Sequence, residues 1–346
     1  MTAIKRLGAS AIAVVALGAL GLPAPALAGK SHHLKLYKVE QHIDIEGDRD
    51  YTISCKSGDI ATDGMWRIDD VSQDNEFDTL DQYTKTVAIK SRTVPGNRQD
   101  YVFAFLPIAG GDVQGKLWVT CLENPAGPGG THAHNFVTKR VVSAQAPVTT
   151  AGTQTYTIDP NTAGATTTAE GAGQPAKCPT GSYVPIAPGF DMTTTGTEGY
   201  GYLQENWNAP AGTDAGWKWR FNVTQANALP ATDNFQVELS FRCLRLKSDP
   251  NAGPSPLPHA HRIVQQYKTV LNDSQNARTF LTHQVHCGEH YKGMVGMWNL
   301  HSDWLYYLGM DPRIKSRAFK IVHTGFGPPA SETADFRLSC FKDRTT

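Results

Sequence analysis

Several histidines fall in patterns suited to metal ligation. His132 and His134 are separated by one residue, as are His259 and His261. On a strand, residues two apart share a face, so each pair can present two imidazoles together. Zinc and copper accept such pairs and take a third or fourth ligand from elsewhere. His283, His286 and His290 bracket Cys287 and form a second dense group. If Cys287 is oxidised to a disulfide, it is lost as a thiolate ligand. The same histidines serve equally well as packing residues at strand edges. Carboxylates alternate at Asp44, Glu46, Asp48 and Asp50, and again at Asp74, Glu76 and Asp78. Oxygen-rich runs near flexible turns suit calcium, although the EF-hand spacing is absent. Charged runs of this kind also keep edge strands from pairing with other sheets.

Signatures of catalysis are missing. There is no Gly-x-Ser-x-Gly elbow, phosphate loop, dinucleotide fingerprint or His-Glu-x-x-His pair. With 32 acidic residues in the chain, a carboxylate pair suited to glycoside hydrolysis carries no weight by itself. Trp207, Trp304 and Tyr306 are candidates for stacking on the apolar faces of sugars. The 32 basic residues balance the 32 acids, so no global field favours nucleic acid.

The elements that must position these residues are read from the cysteines. The chain opens with Lys5 and Arg6, an apolar run from Leu7 to Leu22, and Ala26-Leu27-Ala28. That is the form of a signal peptide over residues 1–28, and no later segment is apolar enough to span a membrane. The expected location is therefore secreted or extracellular, where an even cysteine count reads as a disulfide framework. The six cysteines group by similar separations: Cys55 to Cys121, Cys178 to Cys243, and Cys287 to Cys340.

Flanking residues repeat with the cysteines. Gly64-Met65-Trp66 follows Cys55, Gly296-Met297-Trp298 follows Cys287 at the same distance, and Gly189-Phe190 follows Cys178. Each second cysteine ends an alternating run: Leu117, Val119, Cys121; Leu239, Phe241, Cys243; Phe336, Leu338, Cys340. Period-two alternation marks a half-buried strand that aims its sulfur inward. Pairing within each group is the expectation, and each bond closes a loop long enough to contribute roughly 4 kcal/mol in the chain-entropy model.

These motifs resemble a class of secreted bacterial repeat proteins with a Cys-x-x-Gly strand start, a Gly-Met-Trp turn and a closing strand that ends in cysteine. Gly58 and Gly181 fit the glycine position, while His290 departs from it. The resemblance implies a disulfide-framed β repeat and brings no catalytic residues. The expected fold is all-β: three tandem antiparallel sandwich-like repeats over 30–127, 128–247 and 253–346, each closed by one disulfide. The Thr/Ala/Gly-rich stretch 149–176 is expected to be a mobile loop in the second. The favoured function is non-catalytic, an extracellular binding or surface-structural protein. Its expected partner is an extracellular glycan, a cell-surface component or a second copy. The alternatives are a secreted carbohydrate-active or other hydrolase, and an exoprotein that binds Zn, Cu or Ca.

Overall fold

The computed structural model describes residues 35–47, 49–71, 86–107, 113–124, 138–144, 154–158, 167–169, 178, 183–195, 199–208, 217–225, 234–246, 261–272, 280–301, 305–313, 315–323 and 333–345. The first stretch of chain to be framed by cysteines holds β1 (Leu36–Ile45), β2 (Asp50–Ser54), β3 (Ile60–Val71), β4 (Thr86–Thr93), β5 (Asp100–Pro107) and β6 (Val113–Leu122). The second holds β7 (Thr138–Ala144), β8 (Gln154–Ile158), β9 (Thr167–Ala169), β10 (Tyr183–Thr195), β11 (Gly199–Asn208), β12 (Trp217–Gln225) and β13 (Asn234–Arg245). The third holds β14 (His261–Asn272), β15 (Phe280–His286), β16 (Lys292–Leu300), β17 (Leu305–Arg313), β18 (Ser316–His323) and β19 (Ala334–Thr345). The protein is all-β, with no helix among the described residues. Two of these strands, β8 and β9, fall inside the stretch 149–176, where the Thr/Ala/Gly-rich composition predicts a mobile loop.

Local patterning explains the strands. In β2 burial alternates strictly, with Tyr51 and Ile53 turned inward. β6 and β3 read as nearly continuous buried runs because both faces are covered. Three antiparallel sheets result, in the orders β1-β6-β3-β17-β18-β15, β2-β5-β4-β10-β13-β7-β9 and β14-β19-β16-β11-β12-β8. The two halves of each cysteine-framed segment thus lie in different sheets. Each half continues into a half contributed by a neighbouring segment.

Three disulfides join Cys55 to Cys121, Cys178 to Cys243 and Cys287 to Cys340, the pairing that the spacing predicts. In the first and third segments the bond ties the residue just past an edge strand of one sheet, β2 or β15, to an inner strand of another, β6 or β19.

The joins between segments share one device. β3, β10 and β16 each carry a register irregularity just beyond the residue opposite the closing cysteine, at Ala61/Asp63, Ile186/Gly189 and Gly293/Val295. β4, β11 and β17 carry another at Ala88/Lys90, Leu203/Glu205 and Tyr307/Gly309. Bulges bend a strand and increase its twist. Strands across a join accordingly meet for one or two residues only: Arg67 with Gly309, Phe190 and Asp191 with Ser91 and Lys90, and Asn206 and Glu205 with Trp298 and Asn299. Gly309, at φ +143°, is required at its join, because a Cβ there would run into the Trp66 carbonyl and lie 2.5 Å from Arg67 Cα.

The core sits where the segments meet. Trp66, Phe190 and Trp298 lie opposite Leu117, Leu239 and Phe336, each four residues before its segment's closing cysteine. Trp66 meets Phe190 at 6.1 Å and Trp298 at 6.2 Å, both edge-on. Tyr307 stacks on Trp298 at 3.7 Å and stands edge-on to Trp66 at 5.4 Å. The repeated aromatic position thus converges from all three segments, and rings packed this way contribute about 0.5–1.5 kcal/mol per pair beyond the area they bury.

Candidate functional site

The described histidines of these groups are dispersed. His132, His134 and His259 lie outside the described residues, and His261 opens β14 opposite Thr345. On β15, His283 and His286 are three apart and so point to opposite faces. His283 is half-buried and stacks on Phe336 at 5.2 Å, and burial holds its pKa below the usual imidazole range. His286 is exposed at the strand end, next to the disulfide-bonded Cys287. His290 is exposed in the following turn at φ +66°, the left-handed position that Gly58 takes at φ +86° in the first segment. The departure from Cys-x-x-Gly thus keeps the backbone and changes only the residue. Among the described residues, no group of three or more His, Cys, Asp or Glu side chains is placed to hold a metal ion.

The described acids of the first run have local partners or face solvent. Asp50 pairs with Lys90 at 2.9 Å, Glu46 pairs with Arg49 at 3.1 Å, and Asp44 is exposed on β1. Asp48, Asp74, Glu76 and Asp78 lie outside the described residues. Of the candidate stacking residues, Trp207 is half-buried with the Arg337 guanidinium 4.0 Å over its ring. One aromatic face is therefore already taken by a cation. Tyr306 is half-buried on β17 in a different sheet from Trp207, and Trp304 lies outside the described residues.

The site that sequence reasoning missed lies at the seam of the first and third segments. Asp63 of β3 and Arg317 of β18 are both buried, with Arg317 Nε 3.8 Å from Asp63 Oδ2. The same carboxylate oxygen accepts the Gly296 N–H at 2.9 Å. Arg317 is held by its terminal nitrogens: Nη2 donates to Thr120 Oγ1 at 3.0 Å and Gly293 O at 3.1 Å, and Nη1 to Arg313 O at 3.1 Å and Ser316 O at 3.2 Å. Its Nε and the Tyr307 hydroxyl are buried without a hydrogen-bond partner.

Electrostatics follow from this burial. Desolvation pushes the Asp63 carboxyl up to about 7, against the opposing pull of Arg317 and the Gly296 amide. Burial also lowers Arg317 from its usual value and raises Tyr307 and Tyr101, with the Asp63 charge adding to both tyrosine shifts. Beside Arg317 a cavity of about 20 Å³ opens between β1, β6, β16 and the β17–β18 hairpin. That is room for about one water-sized occupant.

The sequence carries one trace of this seam. Asp63 directly precedes the repeated Gly-Met-Trp, where the third segment has Val295, so a charge interrupts an otherwise apolar repeat position. Nothing in the alternating run around Arg317 marks it as buried. No protein-family model matches the chain, and no curated protein matches it.

Proposed function

We propose that the chain is an exported, non-catalytic binding or surface-structural protein of the extracellular space, built from three copies of one sandwich-like module. The observation that carries this reading is the exchange of half-sheets between cysteine-framed segments, each cinched by its own disulfide. Such a body resists local opening outside the cell, where no chaperone restores it and disulfides persist. The recurring bulges and the converging Trp66, Phe190 and Trp298 support descent from one module. The leader-like residues 1–28 and the oxidised cysteines support export.

The test uses the exported protein, purified with its disulfides intact. N-terminal sequencing is expected to start at Gly29. A glycan and envelope-polymer array is expected to show saturable binding, and panels of ester, glycoside and peptide substrates no turnover. Sustained turnover that survives repurification would replace this reading with the hydrolase alternative.

A further inference from the structure

We propose that the cavity at the seam of the first and third segments binds one small monovalent anion. Three of its lining side chains are cationic, Lys38, Arg313 and Arg317, and none is a carboxylate. They come from three strands of two segments, β1, β17 and β18, so an occupant would bridge the seam. Size restricts the ligand. A cavity of about 20 Å³, open to solvent on one side, takes a chloride ion or one oxygen of a carboxylate.

Each cation has a distinct role. Arg317 is a fixed charge beneath the floor, because its terminal nitrogens already donate to Thr120, Gly293, Arg313 and Ser316. Its nearest counter-charge is Asp63, whose carboxyl burial pushes up to about 7, so that the Arg317 charge is only partly offset near neutral pH. Asp311, the other acid acting on Arg317, is engaged by Arg67 at 3.0 Å. Thr120 accepts from Arg317 through Oγ1, and its hydroxyl hydrogen can turn toward the cavity. Lys38 reaches across the seam to the Pro312 carbonyl at 3.3 Å and also meets Glu40 at 3.3 Å. Arg313 is exposed at the rim. A small anion lodged here would offset a positive charge that the fold has partly buried.

The experiment uses the full chain with its disulfides intact. Thermal unfolding is followed at about pH 6, below the pKa of Asp63, with chloride, acetate or sulfate as sodium salts at matched ionic strength. The Tm is expected to rise with the logarithm of chloride concentration, and Lys38→Gln with Arg313→Gln to remove that rise while leaving the general stabilisation by sulfate unchanged. Chloride-35 line broadening reports binding directly. Lys38→Gln with Arg313→Gln, both at exposed positions, is expected to weaken it by about tenfold or more while leaving the folded spectrum intact. A bromide soak is expected to place one ion beside Arg317. A chloride response of the same size in the double variant, or broadening unchanged in it, would overturn the proposal.

Discussion

At both seams of the first segment, strands cross for one or two residues and then diverge, yet the charges they bring together differ. Where β4 meets β10, the charges are partly buried and paired with one another, and burial raises Asp191 against the pull of Arg92 and Lys90. Arg92 pairs with Asp191 at 2.8 Å and Glu238 at 3.0 Å, and Lys90 reaches Asp50 at 2.9 Å. The buried cation beside them, Arg242, donates to neutral oxygens: Thr93 Oγ1 at 3.2 Å and Asn97 O at 2.5 Å. Where β3 meets β17, the carboxylate itself is buried and faces a buried guanidinium. One backbone device thus tolerates two electrostatic solutions, a partly buried network with an exposed rim that salt screens and a fully desolvated pair that pH controls.

Removing one partner of the buried pair should separate the seams most sharply. Arg317→Met leaves Asp63 buried without its counter-charge and should cost about 3–5 kcal/mol at pH 8, read from the urea midpoint. Burial keeps Asp63 protonated in the folded chain to higher pH than in the unfolded chain, so the folded state binds more protons between about pH 4 and pH 7. Its contribution is complete below the unfolded value and is lost as pH rises through about 7. The window corresponds to about 4 kcal/mol. Asp63→Asn should flatten that part of the stability–pH profile, and an unchanged slope would place the titration elsewhere. Titratable groups facing Asp63 are Arg317 on β18, Tyr307 on β17 and Tyr101 on β5, and both tyrosines stay neutral across this window.

Backbone approach comes next. Gly309→Ala sets a Cβ against the backbone of Trp66 and Arg67 and should cost about 2–3 kcal/mol. Gly189→Ala meets Arg92 Cα at 2.6 Å and should behave alike at the other seam. His290→Gly relieves a left-handed residue and should raise stability by about 0.5–1 kcal/mol, checked by the same urea titration. The smallest effect belongs to the exposed rim of the β4–β10 network. Glu238→Gln should cost about 0.5 kcal/mol at low salt and less at high salt, since Glu238 is 39% exposed.

Legibility in the sequence followed chemistry that leaves a local mark. Each alternating run that ends in Cys121, Cys243 or Cys340 announced a strand, and the cysteine spacing announced the three disulfides. The Gly-Met-Trp echo marked Trp66 and Trp298 as core, where they meet. The exchange of half-sheets left no such mark, because which strands pair across a seam is set by bulges and long-range packing. A Thr/Ala/Gly-rich composition concealed β8 and β9 for a related reason: backbone pairing with β12 and β7 orders them with few large side chains. Burial of Asp63 and Arg317 is likewise a property of the assembled seam rather than of either strand.

Half-sheets cross between segments while every disulfide stays within one. Protease sites placed in the connectors at 125–130 and 250–257 would separate the non-covalent ties from the covalent ones. After cleavage no covalent bond joins the three fragments, yet they should migrate together under native conditions and separate only in denaturant. Fragments that part without denaturant, each retaining its own folded signal, would show that each segment folds as a separate module with no exchanged half-sheet.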